Sequence, residues 1–360
     1  MPEYQTLTLR GSPYAMGYQH GQQARNLRPH ILAAMDARFL RLEGEGPDDA
    51  FDVLVAGTRA LMEELDATLL ATIRGQADAL SIDYETLLRY DLISYLGDDL
   101  RVRRLAGGQG CTSWAASGAA TKGGRVILAK NRDYDLDHLP LQVLVRAQPE
   151  GGFPYLYITS AGSPGIYCAG MNAAGLAVAD THVYSSDLGP GLPSFSLMLH
   201  LLQEHCHVSS ALDYLRSVPR LGRNNLILAD ARGHLAVFEG GHTRYGLFEA
   251  REGILVNTNH FVSDEMRGCY ADVEPEGREN SLGRYDHARR ALADAYGRID
   301  TVLACELAAS HDGPLASICC HPRAERNVAS IAAAVLVPGE GRMLFCHGLP
   351  CEGRFDELYV

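Results

Sequence analysis

The sequence has no basic block, no paired-cysteine signature and no long apolar run, and each absence removes a class of function. Its 360 residues carry a net charge of −12, and the densest cationic stretch, residues 101–104, is only a few residues long. A nucleic-acid binder needs a basic patch to meet phosphates, so nucleic acid is not an expected partner. No stretch approaches the roughly 18 uncharged apolar residues of a membrane span. The opening MPEYQTLTLRGS has neither a cationic nor an apolar signal-peptide region, which predicts a cytoplasmic protein. Nine cysteines are present without a CxxC pair or a Cys/His spacing typical of zinc sites, so no metal or cofactor is expected. An odd number of scattered thiols, in a chain long enough to build its own core, also argues against a disulfide framework. Most of them read as buried small hydrophobes.

What is present is 46% hydrophobic and 21% charged residues, enough for one large domain or two ordinary ones. From residue 15 to about 98, apolar residues recur at helical spacing in HILAAMDARFL, DDAFDVLVAGTRALMEEL, ATLLATIRGQADAL and YETLLRYDLISYL, predicting an all-helical first third. From Cys111 onward the texture changes to short β-type runs divided by Gly and Pro: TSWAASGAA, RVILAKNRDY, LQVLVRAQ, YLYIT, GLAVADTHV, NNLILAD, HLAVFEGG and ILVNTNHF. Helical stretches over 194–218 and 281–296 interrupt them, and NVASIAAAVLVP and RMLFCHGLP close the series. Many strands with few helices between them predict antiparallel sheets covered by helices, an α+β protein.

The junction is RRLAGGQGCTSW, where Gly107, Gly108 and Gly110 make the backbone permissive just before Cys111. Composition alone favours a glycine-rich linker followed by a core cysteine.

A set of short motifs in fixed order decides otherwise. GCTSW (110–114), followed by AKNRD (129–133), resembles the start of the mature catalytic subunit in the isopenicillin N acyltransferase family. The wider superfamily of N-terminal-nucleophile hydrolases includes penicillin V acylase and bile salt hydrolase. Upstream, GSPYAMGYQHG (11–21) is similar to the opening of that family's pro-segment. GMNAAGLAVADTH (170–182), NNLILADARG (224–233), NTNHF (257–261), SLGRY (281–285) and SICCHP (317–322) follow in the family's order. The resemblance implies a four-layer αββα sandwich of two antiparallel sheets. It also implies a helical pro-segment, 1–110, that stays bound to a catalytic unit, 111–360, after self-cleavage between Gly110 and Cys111.

The chemistry of such a terminus is self-sufficient. A thiol with a pKa of about 8.5 needs a base at neutral pH, and the freed α-amine, with a pKa of about 7.7, sits on the same residue. The resemblance implies further roles. Asp133 would orient the Cys111 amine, and Lys130 stands where bile salt hydrolases carry an arginine, keeping the charge that favours a thiolate but losing the planar fork. Asn259 would donate to the oxyanion, and His182 replaces an asparagine that assists it; neutral imidazole can still donate once. Arg284 matches an arginine near the nucleophile. Cys320 stands at an arginine position of the penicillin acyltransferase branch, which argues against a penicillin substrate.

The expected activity is acyl transfer through a Cys111 thioester, from an acyl-thioester, a carrier-bound acyl group or an amide, to an amine or water, in small-molecule or natural-product metabolism. A pure amide hydrolase, or a binding protein on the same fold, are the alternatives. A papain-like enzyme would need its own flanking signature around a helix-borne cysteine, and Cys111 instead begins a predicted strand.

Overall fold

The computed structural model describes residues 4–44, 49–100, 110–250, 252–271, 275–323 and 327–360. The segment RRLAGGQ before Gly110 therefore lies outside the described residues. The chain begins with β1 (Gln5–Gly11), then α1 (Pro13–Gln23), α2 (Arg28–Gly44), α3 (Asp49–Leu65), α4 (Ala67–Leu80) and α5 (Tyr84–Leu100). Next come β2 (Thr112–Gly118), β3 (Gly124–Asp135), β4 (Gln142–Pro149), β5 (Tyr155–Ser160), β6 (Ala169–Asn172) and β7 (Leu176–His182). Helices α6 (Ser194–Glu204) and α7 (Val208–Ser217) lead to β8 (Asn224–Asp230), β9 (Leu235–Gly240), β10 (Tyr245–Glu249) and β11 (Ile254–Asn257). The last elements are α8 (Asp264–Arg267), α9 (Pro275–Asp294), α10 (Thr301–Ala308), β12 (Val328–Val337), β13 (Arg342–His347) and β14 (Asp356–Tyr359).

The strands form an eight-stranded sheet, β1-β4-β5-β6-β7-β8-β9-β10, and a six-stranded sheet, β11-β2-β3-β12-β13-β14. Alternation along each strand builds the layers, because successive side chains leave opposite faces. On β4, Val143 and Val145 pack against α1, α2, α4 and α6, while Leu144 between them turns to the second sheet. On β3, Leu128 joins that inter-sheet core, while Ile127 and Ala129 pack with α9 and α10 on the far side. The result is helices, sheet, sheet, helices: the expected four-layer α+β sandwich.

Two expectations need correcting. The first third is not all helical, because β1 precedes α1. Nor are the sheets purely antiparallel: β1 runs parallel to β4, from Gln5 opposite Val143 to Gly11 opposite Pro149. The N-terminal 110 residues thus contribute an edge strand as well as a helical layer.

The GSPYAMGYQHG motif is a packing device. Ser12 caps α1, accepting from Ala15 N at 3.3 Å, with Pro13 in the first turn. Gly17 and Gly75 let α1 and α4 cross nearly backbone to backbone. A Cβ on Gly17 would lie 2.0 Å from Thr72 O, and one on Gly75 2.2 Å from Tyr14 O.

Candidate functional site

Register gathers the site at one end of the second sheet. Cys111 directly precedes β2, whose Thr112 and Ser113 face Asn131 and Lys130 of β3 on one side. On the other side Ser113 faces Asn257, the last residue of β11. The strand predicted to run through NTNHF therefore ends at Asn257, and Asn259 stands in the turn beyond it. That turn is pinned from both sheets. Ser113 and Thr181 each donate to Asn257 Oδ1 at 2.8 Å, and the Asn225 amide donates to Thr258 O and His260 O.

Arg284, on the tenth residue of α9 and 1% exposed, ties the group together. Its Nη1 donates to Cys111 O at 2.5 Å and to Thr112 Oγ1 at 2.9 Å. Its Nη2 donates to Asn259 Oδ1 at 2.8 Å, and its Nε to Asn280 Oδ1 at 2.9 Å. Because a guanidinium only donates, these contacts orient the Asn259 amide with its Nδ2 away from Arg284. That Nδ2 donates to His182 O at 2.8 Å.

Asp133 is fully buried, and its two oxygens have different surroundings. Oδ1 accepts from Ser330 Oγ at 2.5 Å, while Oδ2 has no hydrogen-bond partner among the described residues. Burial raises its pKa to about 6, against the opposing pull of Arg284, Ser330 and Lys130. The free oxygen faces Gly110: a Cβ there would lie 2.6 Å from Asp133 Oδ2. A side chain at position 110 would force the Asp133 carboxylate or the backbone before Cys111 to shift.

Lys130 is also buried, its ammonium donating to Asp180 O and lying within hydrogen-bonding reach of the Cys111 thiol. Burial alone would lower its pKa, but its electrostatic interactions with Cys111, Asp180 and Cys168 and its hydrogen bond to Cys111 leave it raised. The Cys111 thiol reaches Asp133 O at 3.7 Å. Asn131, the other polar residue of AKNRD, donates to Ala308 O and Ile318 O and so fastens the turn after α10.

Cys111, Lys130, Asp133, Asn259 and Arg284 are therefore brought together, with Gly110. His182 joins them through its carbonyl; its imidazole is engaged by the Arg223 guanidinium, whose Nε lies 3.1 Å from Nε2, and leans on Tyr184. A cavity of about 160 Å³ reaches Gly110, Asp133 and Arg284, walled by His311, Cys319 and Cys320 among others.

Sequence reasoning missed three participants. Ser330 lies opposite Asp133 in the β12–β3 register, and Cys168 lies near Lys130; neither stands in the motifs. Arg223, which holds the His182 imidazole, falls one residue before the NNLILADARG string. The signal for Lys130 was stronger than the motif alone, since it is one of only two lysines in the chain. Folding also brings together four residues that the sequence does not group: His311, Cys319, His321 and Cys351, one donor atom of each lying within 4.8 Å of the others.

Comparison with known proteins places this geometry in context. An uncharacterized protein of Archaeoglobus fulgidus is 23% identical over 346 residues, covering 83% of this chain and 56% of that protein. The chain thus spans about half the length of this relative. Among solved structures, the Caenorhabditis elegans ortholog of N-acylethanolamine-hydrolyzing acid amidase is similar with a TM-score of 0.46 and 17% identity, over 64% of this chain and 93% of that one. A mutant form of conjugated bile acid hydrolase from Clostridium perfringens gives 0.48 and 12%, over 69% and 92%. Penicillin V acylase from Agrobacterium tumefaciens gives 0.45 and 17%, over 66% and 83%. Residues 119–350 match the acyl-coenzyme A:6-aminopenicillanic acid acyl-transferase family. That match spans well over half of the sequence, and the chain belongs to this family.

Proposed function

We propose that the protein is an autoproteolytic cysteine acyltransferase or amide hydrolase that cuts itself between Gly110 and Cys111 and then works from the new N-terminus. One observation carries the reading: a buried carboxylate oxygen of Asp133, without a hydrogen bond from the described residues, lies against Gly110, beside a thiol flanked by a buried lysine. Membership of an acyl-transferase family supports it.

In maturation, Cys111 Sγ attacks the Gly110 carbonyl carbon. The bond to Cys111 N breaks as that nitrogen takes a proton, leaving a thioester that water hydrolyses to a Gly110 carboxylate and a free thiol. The released amine then has Asp133 Oδ2 as its partner. In turnover, Lys130 favours the thiolate, which attacks the acyl carbonyl. Asn259 Nδ2 spends one hydrogen on His182 O and keeps the second for the oxyanion. The Cys111 ammonium gives the leaving group its proton, and the amine takes one from the amine or water that resolves the acyl-enzyme. The acyl donor and the amine acceptor are small molecules, and the chemistry asks for no cofactor.

Purified wild-type protein should run as two fragments, 1–110 and 111–360, while Cys111→Ala stays whole. Mass spectrometry should find an acyl adduct on Cys111 after exposure to acyl donors, lost faster with an amine present if transfer outruns hydrolysis. An intact wild-type chain with full activity would overturn the proposal.

A further inference from the structure

Apart from the Cys111 group, the fold assembles a second set of nucleophilic side chains whose spacing in the sequence hides it. His311, Cys319 and His321 lie on the segment between α10 and β12, and Cys351 on the turn between β13 and β14. Cys319 Sγ and Cys351 Sγ are 3.5 Å apart, and His321 Nε2 is 3.2 Å from Cys351 Sγ. The His311 and His321 rings have centroids 5.2 Å apart. In a tetrahedral site with Zn–S of about 2.3 Å and Zn–N of about 2.0–2.1 Å, ligand atoms are separated by about 3.3–3.8 Å. The sulfur–sulfur and sulfur–nitrogen contacts already stand close to that spacing, and every remaining pair is within 4.8 Å.

We propose that His311, Cys319, His321 and Cys351 form a structural zinc site. Two thiolates and two imidazoles, without a carboxylate, select a borderline-soft ion over Mg²⁺ or Ca²⁺. Four protein ligands leave no open position for substrate, which makes the site structural. Binding Zn²⁺ displaces two thiol protons to solvent and yields a neutral centre. The site joins two remote turns, and its effect reaches the Cys111 group through short bonds. Cys320 N donates to Ser330 Oγ at 2.9 Å, and that hydroxyl donates to Asp133 Oδ1. The ion therefore fixes the cavity wall beside Gly110 and, through Ser330, the carboxylate behind it.

The full chain, purified under reducing conditions without chelator, should contain about one zinc by elemental analysis. Replacement with Co²⁺ should give thiolate-to-cobalt charge-transfer absorption and tetrahedral d–d bands. Cys351→Ser, an exposed position away from Cys111, should lose both the zinc and the charge-transfer band, whereas Cys111→Ala should keep them whether or not the chain cuts itself. If Cys351→Ser fails to fold, cobalt titration of the reduced wild type still decides. No zinc and no cobalt band in that protein would overturn the proposal, as would a Cys319–Cys351 disulfide persisting under reduction.

Discussion

A buried carboxylate oxygen without a partner forfeits its hydration and costs on the order of 1–3 kcal/mol. Among the described residues Asp133 Oδ2 is in that position, and a Cβ on Gly110 would lie 2.6 Å from it. Gly110→Ala would drive a methyl group into it, so this variant should fold yet mature far more slowly, read as persistence of the full-length band over time. Cleavage at the wild-type rate would separate Gly110 from the Asp133 geometry. Asn259 supports a sharper test than alanine, because Asn259→Ala strands a buried arginine nitrogen and would destabilise the fold as well. Asn259→Asp keeps an acceptor for Arg284 and removes the amide donor. Turnover should fall by about 100-fold or more, the size expected for one oxyanion donor, with any fall in melting temperature confined to the lost bond to His182 O, since Arg284 keeps its acceptor. Full activity would remove Asn259 from the site. Motif positions such as Cys111, Asp133, Asn259 and Arg284 were legible in the sequence because each stands in a short ordered string. Ser330 was not, since its meeting with Asp133 depends on strand register across nearly two hundred residues. The His182 imidazole was expected near the oxyanion; Arg223, outside every site motif considered, occupies it.

Elements were readable where periodicity was long. The blocks read as helices correspond to α2, α3, α4 and α5, and the run 194–218 resolves into α6 and α7. Strands β6, β10 and β14, of four or five residues, are too short to show alternation, and β1 hid in a terminus whose pairing partner is remote. The α1–α4 crossing gives a direct test of packing. Gly17→Ala places a Cβ on rigid backbone at Thr72, and overpacking of this kind costs about 2 kcal/mol or more. Chemical denaturation should show that loss. A neutral result would mean that the two helices can separate without penalty.

Across the whole molecule, the helical layer is joined to the first sheet partly through an uncharged histidine. His20 Nε2 accepts the Gly162 N–H at 3.2 Å, and burial lowers its pKa to about 4. Unfolded, the same group titrates near 6.5. Between those values unfolding takes up a proton, so this contribution to stability is present above about 6.5 and is lost as pH falls toward 4. His20→Gln retains an acceptor without that titration. The wild-type advantage over it should shrink by about 2–3 kcal/mol between neutral pH and about 4.5 in urea titrations. Parallel pH profiles would exclude His20 as the source.

The parallel pairing of β1 with β4 also imposes an order in time. During synthesis β1 emerges first, yet Gln5 waits for Val143 before it has a neighbour. Asn259 and Arg284 leave the ribosome later still, so the surroundings of Cys111 are completed only after β4 is available to hold β1. If the chain cuts itself as proposed, vectorial synthesis acts as a clock: the N-terminal piece can be woven into the eight-stranded sheet before the chain possesses the means to sever it.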